Sequence, residues 1–482
     1  MGARGALRET VGGLPRQFWW LWTSTLINRL GGFVITFLAL YLTVRRGYSA
    51  SYAGLVAALF GQGGAVGAVL GGVVADRFGR RVTLLAAQLG AALTTAVLGL
   101  VTHPVAIAVV AALAGLTGNA SRPALQAMIA DLVPAEDRVR AFSLNYWAIN
   151  IGFGVSAAAA GFIATAGYVW LFLGDAFTTL LCAVVVFAKA KETLLTGTRD
   201  TSRTRGTSRT RGTPHPRGTS HPRGTPHPRG TPPPPAGITL AHVLRDRRFM
   251  VVVGLTFLFG TVLQQGSSTL AVDMGAHGLS ARQYGLVAAI NGVVIVVLQL
   301  PVTRALRSRP AAELLGAGGL LMAWGFGLTY LAGSVGLYAL TVVVWTLGEI
   351  VHAPASMSVV ADLAPATARG RYQGMYSVAW SGSAFAGPLV GGLTLDHLGR
   401  GAVWSGCALL GTVAALGYYV LLRTRPAPAS LPRTRPPANQ RYAATPTTAP
   451  DAETVAVPPD TLADADADAD ADAALADAAE NP

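Results

Sequence analysis

The chain has 482 residues, of which 51% are hydrophobic and only 13% are charged. Soluble domains average about 25% charged residues, so this balance excludes an ordinary soluble enzyme and points to a chain dissolved in lipid. The formal net charge of +13 does not signal nucleic acid, because it gathers in one low-complexity stretch and in short loops between apolar runs.

Twelve apolar runs of roughly 20 residues, long enough to span about 30 Å of hydrocarbon, recur along the sequence. They are placed at 17–44, 51–75, 82–102, 104–129, 141–164, 168–188, 248–272, 283–303, 312–332, 335–360, 372–394 and 402–422. Arg4, Arg8 and Arg16 precede the first run, which is too long for a signal peptide and lacks a small-residue cleavage site. It is expected to be retained. The chain then divides into an N-terminal stretch (1–16), six spans within 17–193, a linker (194–240), six spans within 241–423, and a tail (424–482).

Arginine sets the orientation. One set of loops carries Arg77, Arg80, Arg81, Arg138, Arg140, Arg304, Arg307, Arg309, Arg369 and Arg371; the other carries Arg45, Arg46, Arg282 and Arg400. The first set is expected to be cytoplasmic, together with both termini and the linker. The linker repeats Arg-Gly-Thr-Pro-His-Pro-type units that cannot bury a core. Its evenly spaced His215, His221 and His227 read as repeat expansion, so no metal is expected. The tail alternates Asp464, Asp466, Asp468, Asp470 and Asp472 with alanine and is expected to stay solvated.

Cys182 and Cys407 lie inside apolar runs and read as small buried residues. Lysine occurs only at Lys189 and Lys191, neither after a glycine-rich loop, so the sequence holds no phosphate cradle for ATP. No nucleophile–base constellation is in view, and neither enzyme activity nor a cofactor is expected.

The halves repeat. Gly54-Leu-Val-Ala-Ala58 recurs as Gly285-Leu-Val-Ala-Ala289, an offset of 285 − 54 = 231. Ala130-Asp131-Leu132 recurs as Ala361-Asp362-Leu363, Arg138-x-Arg140 as Arg369-x-Arg371, and Gly161 as Gly392, all in the same register. Two homologous six-helix bundles follow.

Between the second and third spans stands Gly72-Val-Val-Ala-Asp76-Arg77-Phe-Gly79-Arg80-Arg81. A tight charged loop between two hydrophobic spans is costly near lipid. This G-x-x-x-D-R-x-G-R-R pattern, with the internal repeat, resembles the loop between helices 2 and 3 of major facilitator superfamily transporters, over about residues 15–423. The resemblance implies an all-α integral membrane fold of 12 transmembrane helices in two pseudo-symmetric six-helix bundles. It also implies a conformational latch made of Gly72, Asp76, Arg77, Gly79, Arg80, Arg81 and Asp131, with Asp76 meeting the start of helix 11 near Arg371. In the second half Thr303, Arg307 and Ser308 stand where Gly72, Asp76 and Arg77 would, so the latch reads as one-sided.

Helices 1, 4, 7 and 10 line the central cavity in that superfamily. Their polar residues are therefore candidates for proton and substrate: Asn28 and Arg29, Asn119 and Arg122, Gln264 and Gln265, Glu349 and His352. Glu349 is the best candidate for a proton-carrying group, with His352 or Arg29 tuning it; Asp175 is weaker, its helix being expected at the periphery. Antiporters of the family carry a G-x-x-x-x-G-P-x-x-G-G stretch in helix 5. Here it stands in helix 11, as Gly382, Gly387, Pro388, Gly391 and Gly392, and is expected to serve helix packing. Gly115 and Gly118 precede Arg122, the reverse of the family's usual order in helix 4.

The expected function is proton-coupled export of small amphipathic or drug-like molecules by alternating access. The resemblance is to drug/proton antiporters, and few charges line the central helices. Uptake or facilitated diffusion of a polar metabolite (sugar, organic anion or peptide) and a non-transporting membrane scaffold are the alternatives. The expected partners are a small-molecule substrate and the lipid bilayer, with no nucleic acid; the expected form is a monomer in a bacterial plasma membrane.

Overall fold

Inside lipid every backbone N–H and C=O needs an internal partner, so uncharged runs of Leu, Val, Ala and Gly fold as helices. A computed structural model describes residues 13–134, 137–190, 192, 240–306, 308–365 and 368–423, and all regular structure among them is helical. The linker with its histidines, the tail and Arg307 lie outside the described residues.

Ten spans are separate: α1 Arg16–Arg45, α2 Ala50–Phe78, α3 Arg80–Leu100, α4 Pro104–Leu132, α5 Arg140–Ala166, α6 Val169–Lys189, α7 Arg247–Ala276, α8 Ala281–Ala305, α9 Ala311–Leu331 and α10 Val335–Leu363. A further helix, Arg369–Arg423, runs 55 residues and breaks at Gly399, whose φ of 80° suits a residue without a side chain. It makes two spans, α11 (369–398) and α12 (400–423), which brings the described total to the expected twelve.

The first helix of each half is discontinuous. α1 stops at Leu30, crosses Gly31 and Gly32, and resumes at Phe33. At Gly31 any side chain would overlap Thr178 of α6. α7 stops at Leu263, makes a tight turn over Gln264–Gly266, and resumes at Thr269. Side chains repair the freed backbone groups in both places, as set out below.

Within the first half α4 packs on α2 and α3, and α1 on α5 and α6; within the second, α9 packs on α10 and α10 on α8. Two seams join the halves, α2 against α11 and α5 against α8. Both are built on glycine, which lets helix backbones touch. A side chain at Gly54 would strike the Pro388 carbonyl, and one at Gly285 would meet the Ala157 carbonyl. Gly54→Leu is therefore expected to cost about 1–3 kcal/mol, read as a lower melting temperature in detergent. Gly336→Leu is the control, since nothing lies within 4 Å of a Cβ there.

The two ends of the molecule differ. At the end away from the arginine-rich loops, Tyr284 of α8 donates to the Thr36 carbonyl of α1 at 3.0 Å, and its ring meets Phe37 edge-on at 5.1 Å. At the arginine-rich end, Arg122 and Gln126 on α4, and Met357 and Ser358 on α10, are exposed. The halves meet at one end and part at the other.

Candidate functional site

The break in α1 opens a cavity of about 180 Å³ inside the first half, lined by Asn28, Arg29, Asn119, Arg122, Gln88 and Asp175 among others. Four of the expected cavity residues are thus brought together. Asn119 turns its amide back to the Gly115 carbonyl at 3.2 Å. Arg29 and Arg122 share the cavity with one carboxylate, Asp175, and neither forms an ion pair among the described residues.

Asp175, the weaker candidate on α6, points inward and lines this cavity. It receives the Val34 N–H at 3.2 Å and the Thr179 hydroxyl at 3.5 Å, so its carboxylate caps the restarting half of α1. A negative charge at a helix N-terminus is well placed electrostatically.

Across the molecule, Glu349 is half-buried on α10. Its Oε2 accepts from the Asn291 amide of α8 at 3.1 Å, and the same amide nitrogen donates to the Thr346 hydroxyl at 3.1 Å. Tyr146 of α5, from the other half, lies near enough to interact with its charge. Glu349 therefore stands where the two halves face each other.

His352 does not join it. Three residues advance a helix by about 300°, and that offset turns the ring between α7 and α12. There it stacks on Phe259 (3.5 Å, 11°) and meets Tyr418 edge-on at 5.6 Å, with Nε2 unpartnered. His352 fills the core of the second half and forms no hydrogen bond or ion pair with Glu349 among the described residues. His352→Phe is expected to leave the pH dependence of transport unchanged and the melting temperature within a few degrees of wild type, since it removes an unpaired buried nitrogen.

Gln265 is also redirected. It is buried; its amide donates to the carbonyls of Thr261 (3.0 Å) and Gly387 (2.8 Å) and accepts from the Thr269 hydroxyl at 2.5 Å. It mends the break in α7 and ties it to α11, where the sequence suggested a cavity group. Gln264 is half-buried against Gly387, and its carbonyl accepts from the Ser267 and Ser268 hydroxyls.

In the loop after α2, Arg80 pairs with Asp131, while Arg81 donates to the Phe187 carbonyl at 2.7 Å and Arg77 lies over Phe78. Of the three latch arginines, Arg80 is the one paired with the latch acid Asp131 among the described residues. Gly79, at φ 103°, lets the chain turn, and Glu192 accepts the N–H groups of Arg80 and Arg81 at 3.0 Å each. The loop is thus held rigidly by its own half. Asp76 is exposed at its edge, without an ion pair among the described residues.

Two six-helix halves that join along two glycine seams, with polar and charged side chains held inside apolar helices, are the architecture of a carrier. The sequence model of the Major Facilitator Superfamily matches residues 21–352 and 267–457. The chain belongs to this superfamily. It is similar to the MFS-type transporter YqjV of Bacillus subtilis (strain 168), at 26% identity over 82% of this chain and 91% of that one. It is also similar to a Na(+), Li(+), K(+)/H(+) antiporter of Planococcus maritimus, at 22% identity over 73% and 83%. Among solved structures it resembles the nucleoside transporter NupG, with a TM-score of 0.67 at 15% identity over 85% of this chain and 100% of that one. The chain is a multi-pass membrane transporter, not an enzyme.

Small residues at the seams let the helix backbones approach closely. Gly387 and Gly391 of the helix 11 motif lie against Gln264 and Gln265 of α7, whereas Pro388 and Gly392 lie against Gly54 and Ala50 of α2. Gly382 meets Phe257. One motif therefore packs α11 on two neighbours at once.

A buried charge cluster went unread in the sequence. Asp273 of α7, 1% exposed, receives both Arg400 Nε (3.0 Å) and Nη2 (3.2 Å), the Tyr338 hydroxyl (2.7 Å) and the Trp404 indole N–H (3.3 Å). Arg400 also donates to the carbonyls of Thr329 and Ala332. What the arginine pattern assigns to an outer loop is a bridge within the second half.

Proposed function

We propose that this transporter exports small amphipathic molecules in exchange for protons, with Glu349 carrying the proton. The observation behind the reading is the placement of Glu349: a half-buried carboxyl beside Asn291 and Tyr146, on the surface where the halves separate. A carboxylate there is poorly solvated unless it holds a proton or faces a cationic ligand. Proton and substrate then compete for one group, which couples their opposite movements. An exposed aromatic residue, Tyr146, within electrostatic reach of a carboxyl suits ligands with apolar bulk and one polar group. By the arginine bias, the open end faces the cytoplasm and both termini lie there.

A second reading is favoured by Arg29 and Arg122. Two cations with one shared carboxylate would welcome an organic anion, moved together with a proton on Glu349. Purified protein in proteoliposomes with an imposed pH gradient separates the two. Export by exchange predicts that tetraphenylphosphonium moves against the proton flow. If a small carboxylate moves with the protons and tetraphenylphosphonium does not move, the first reading falls.

A further inference from the structure

The second half contains its own copy of the latch sequence, at the opposite end of the molecule. Gly71-Gly72-x-x-x-Asp76-x-x-Gly79-Arg80 closes α2, and Gly391-Gly392-x-x-x-Asp396-x-x-Gly399-Arg400 closes α11. The agreement extends to geometry. Gly79 and Gly399 both take positive φ, 103° and 80°. The arginine after each glycine pairs with an acid of its own half, Arg80 with Asp131 and Arg400 with Asp273. Each turn is thereby fixed, and each displays one aspartate.

α2 and α11 pack against each other across one seam, and they run in opposite directions, since Gly54 meets Pro388 and Gly61 meets Ala384. The end of each therefore lies beside the beginning of the other. Asp396 occupies that position: its carboxylate receives the N–H groups of Ala50 at 3.1 Å and Ser51 at 2.6 Å, the first residues of α2. Ser49 takes the next, from Tyr52, at 3.1 Å. Three N-terminal donors of α2 are thus satisfied, two of them by the other half of the chain, and the carboxylate sits at the positive end of the helix dipole. Asp76 stands at the mirror position, exposed and without an ion pair among the described residues.

We infer that Asp396 is the counter-latch of Asp76, so that each end of the seam is locked by a carboxylate docking on the N-terminus of the partner helix, one in each state. Rigid helices touching at Gly54–Pro388 and Gly61–Ala384 pivot, so closing one end draws the other apart. Asp396 engaged with α2 holds the arginine-rich end open. In the opposite state Asp396 leaves Ala50 and Ser51, and Asp76 caps α11. The balance between the states is then set by two nearly equivalent contacts that oppose each other. This concerns which state is populated, and it stands or falls independently of the substrate or of proton exchange.

The test uses the full chain in lipid nanodiscs, with Cys182→Ala and Cys407→Ala, and two spin-label pairs. His103 with Gly333 reports the arginine-poor end; Pro134 with Pro365 reports the arginine-rich end. Asp396→Ala is expected to lengthen the first distance and shorten the second, shifting the populations about tenfold toward the opposite state. Asp76→Asn alone should leave the state seen here dominant, and the double variant should return toward the wild-type balance. If Asp396→Ala folds poorly, Asp396→Asn is read in its place, with the same direction expected and a smaller shift. Wild-type distance distributions in the folded variant, or lengthening at both ends together, would overturn the inference.

Discussion

Glu349→Gln is expected to lower proton-driven flux by about 100-fold or more while leaving substrate affinity within a few-fold of wild type. Gln keeps the shape of the side chain and an oxygen for Asn291, whose amide lies 3.1 Å from Oε2 in the wild type. It cannot exchange a proton. A residue serving only to tie α10 to α8 would tolerate the change, so the flux separates a coupling role from an anchoring one. Substrate-gradient-driven counterflow should survive in the variant, because exchange of substrate for substrate needs no net proton movement. Equal loss of counterflow and proton-driven flux would place Glu349 in binding or folding instead.

Asp273→Ala is expected to cost about 3–5 kcal/mol of stability, the largest effect of any single side chain described. The substitution leaves the Arg400 guanidinium without a carboxylate, held by backbone carbonyls and the Tyr338 hydroxyl, and strands the buried Trp404 indole N–H. Asp273→Asn should cost less, since it retains an acceptor. The measurement is thermal unfolding in detergent followed by tryptophan fluorescence, for which Trp404 is itself a reporter. A shift under 2 °C in Asp273→Ala would mean that the cluster is dispensable to the second half.

The spans, the repeated halves and the charged loop were legible because each is local: hydropathy, arginine bias and spacing need no knowledge of neighbours. Asn28, Arg29, Asn119 and Arg122 were found for the same reason, since a charge or amide deep in an apolar run has few places to go. The misplacements have two physical causes. His352 and Glu349 share a helix, but periodicity assigns a face without naming what packs there, and the face of His352 meets Phe259 and Tyr418. Gln265 falls in a turn that interrupts α7, where helical phase no longer predicts direction. Asn291, an amide inside the run 283–303, carries the same local signal, but its role and that of Asp273 come from residues more than fifty positions away. The copy of the latch at Asp396 was readable, four residues past a packing motif that ends at Gly392. Its spacing was masked because the equivalent place in the repeat, at Thr303, is degenerate, while the true counterpart sits on the helix across the seam.

In the proposed exchange, proton and substrate compete for Glu349. This competition is tested most directly by titrating tetraphenylphosphonium into weakly buffered, detergent-solubilised protein near neutral pH and following a pH indicator dye. The wild type should release up to about one proton per ligand bound, and Glu349→Gln should bind the same ligand and release none. Binding to the wild type without proton release, or equal release from the Gln variant, would contradict the account.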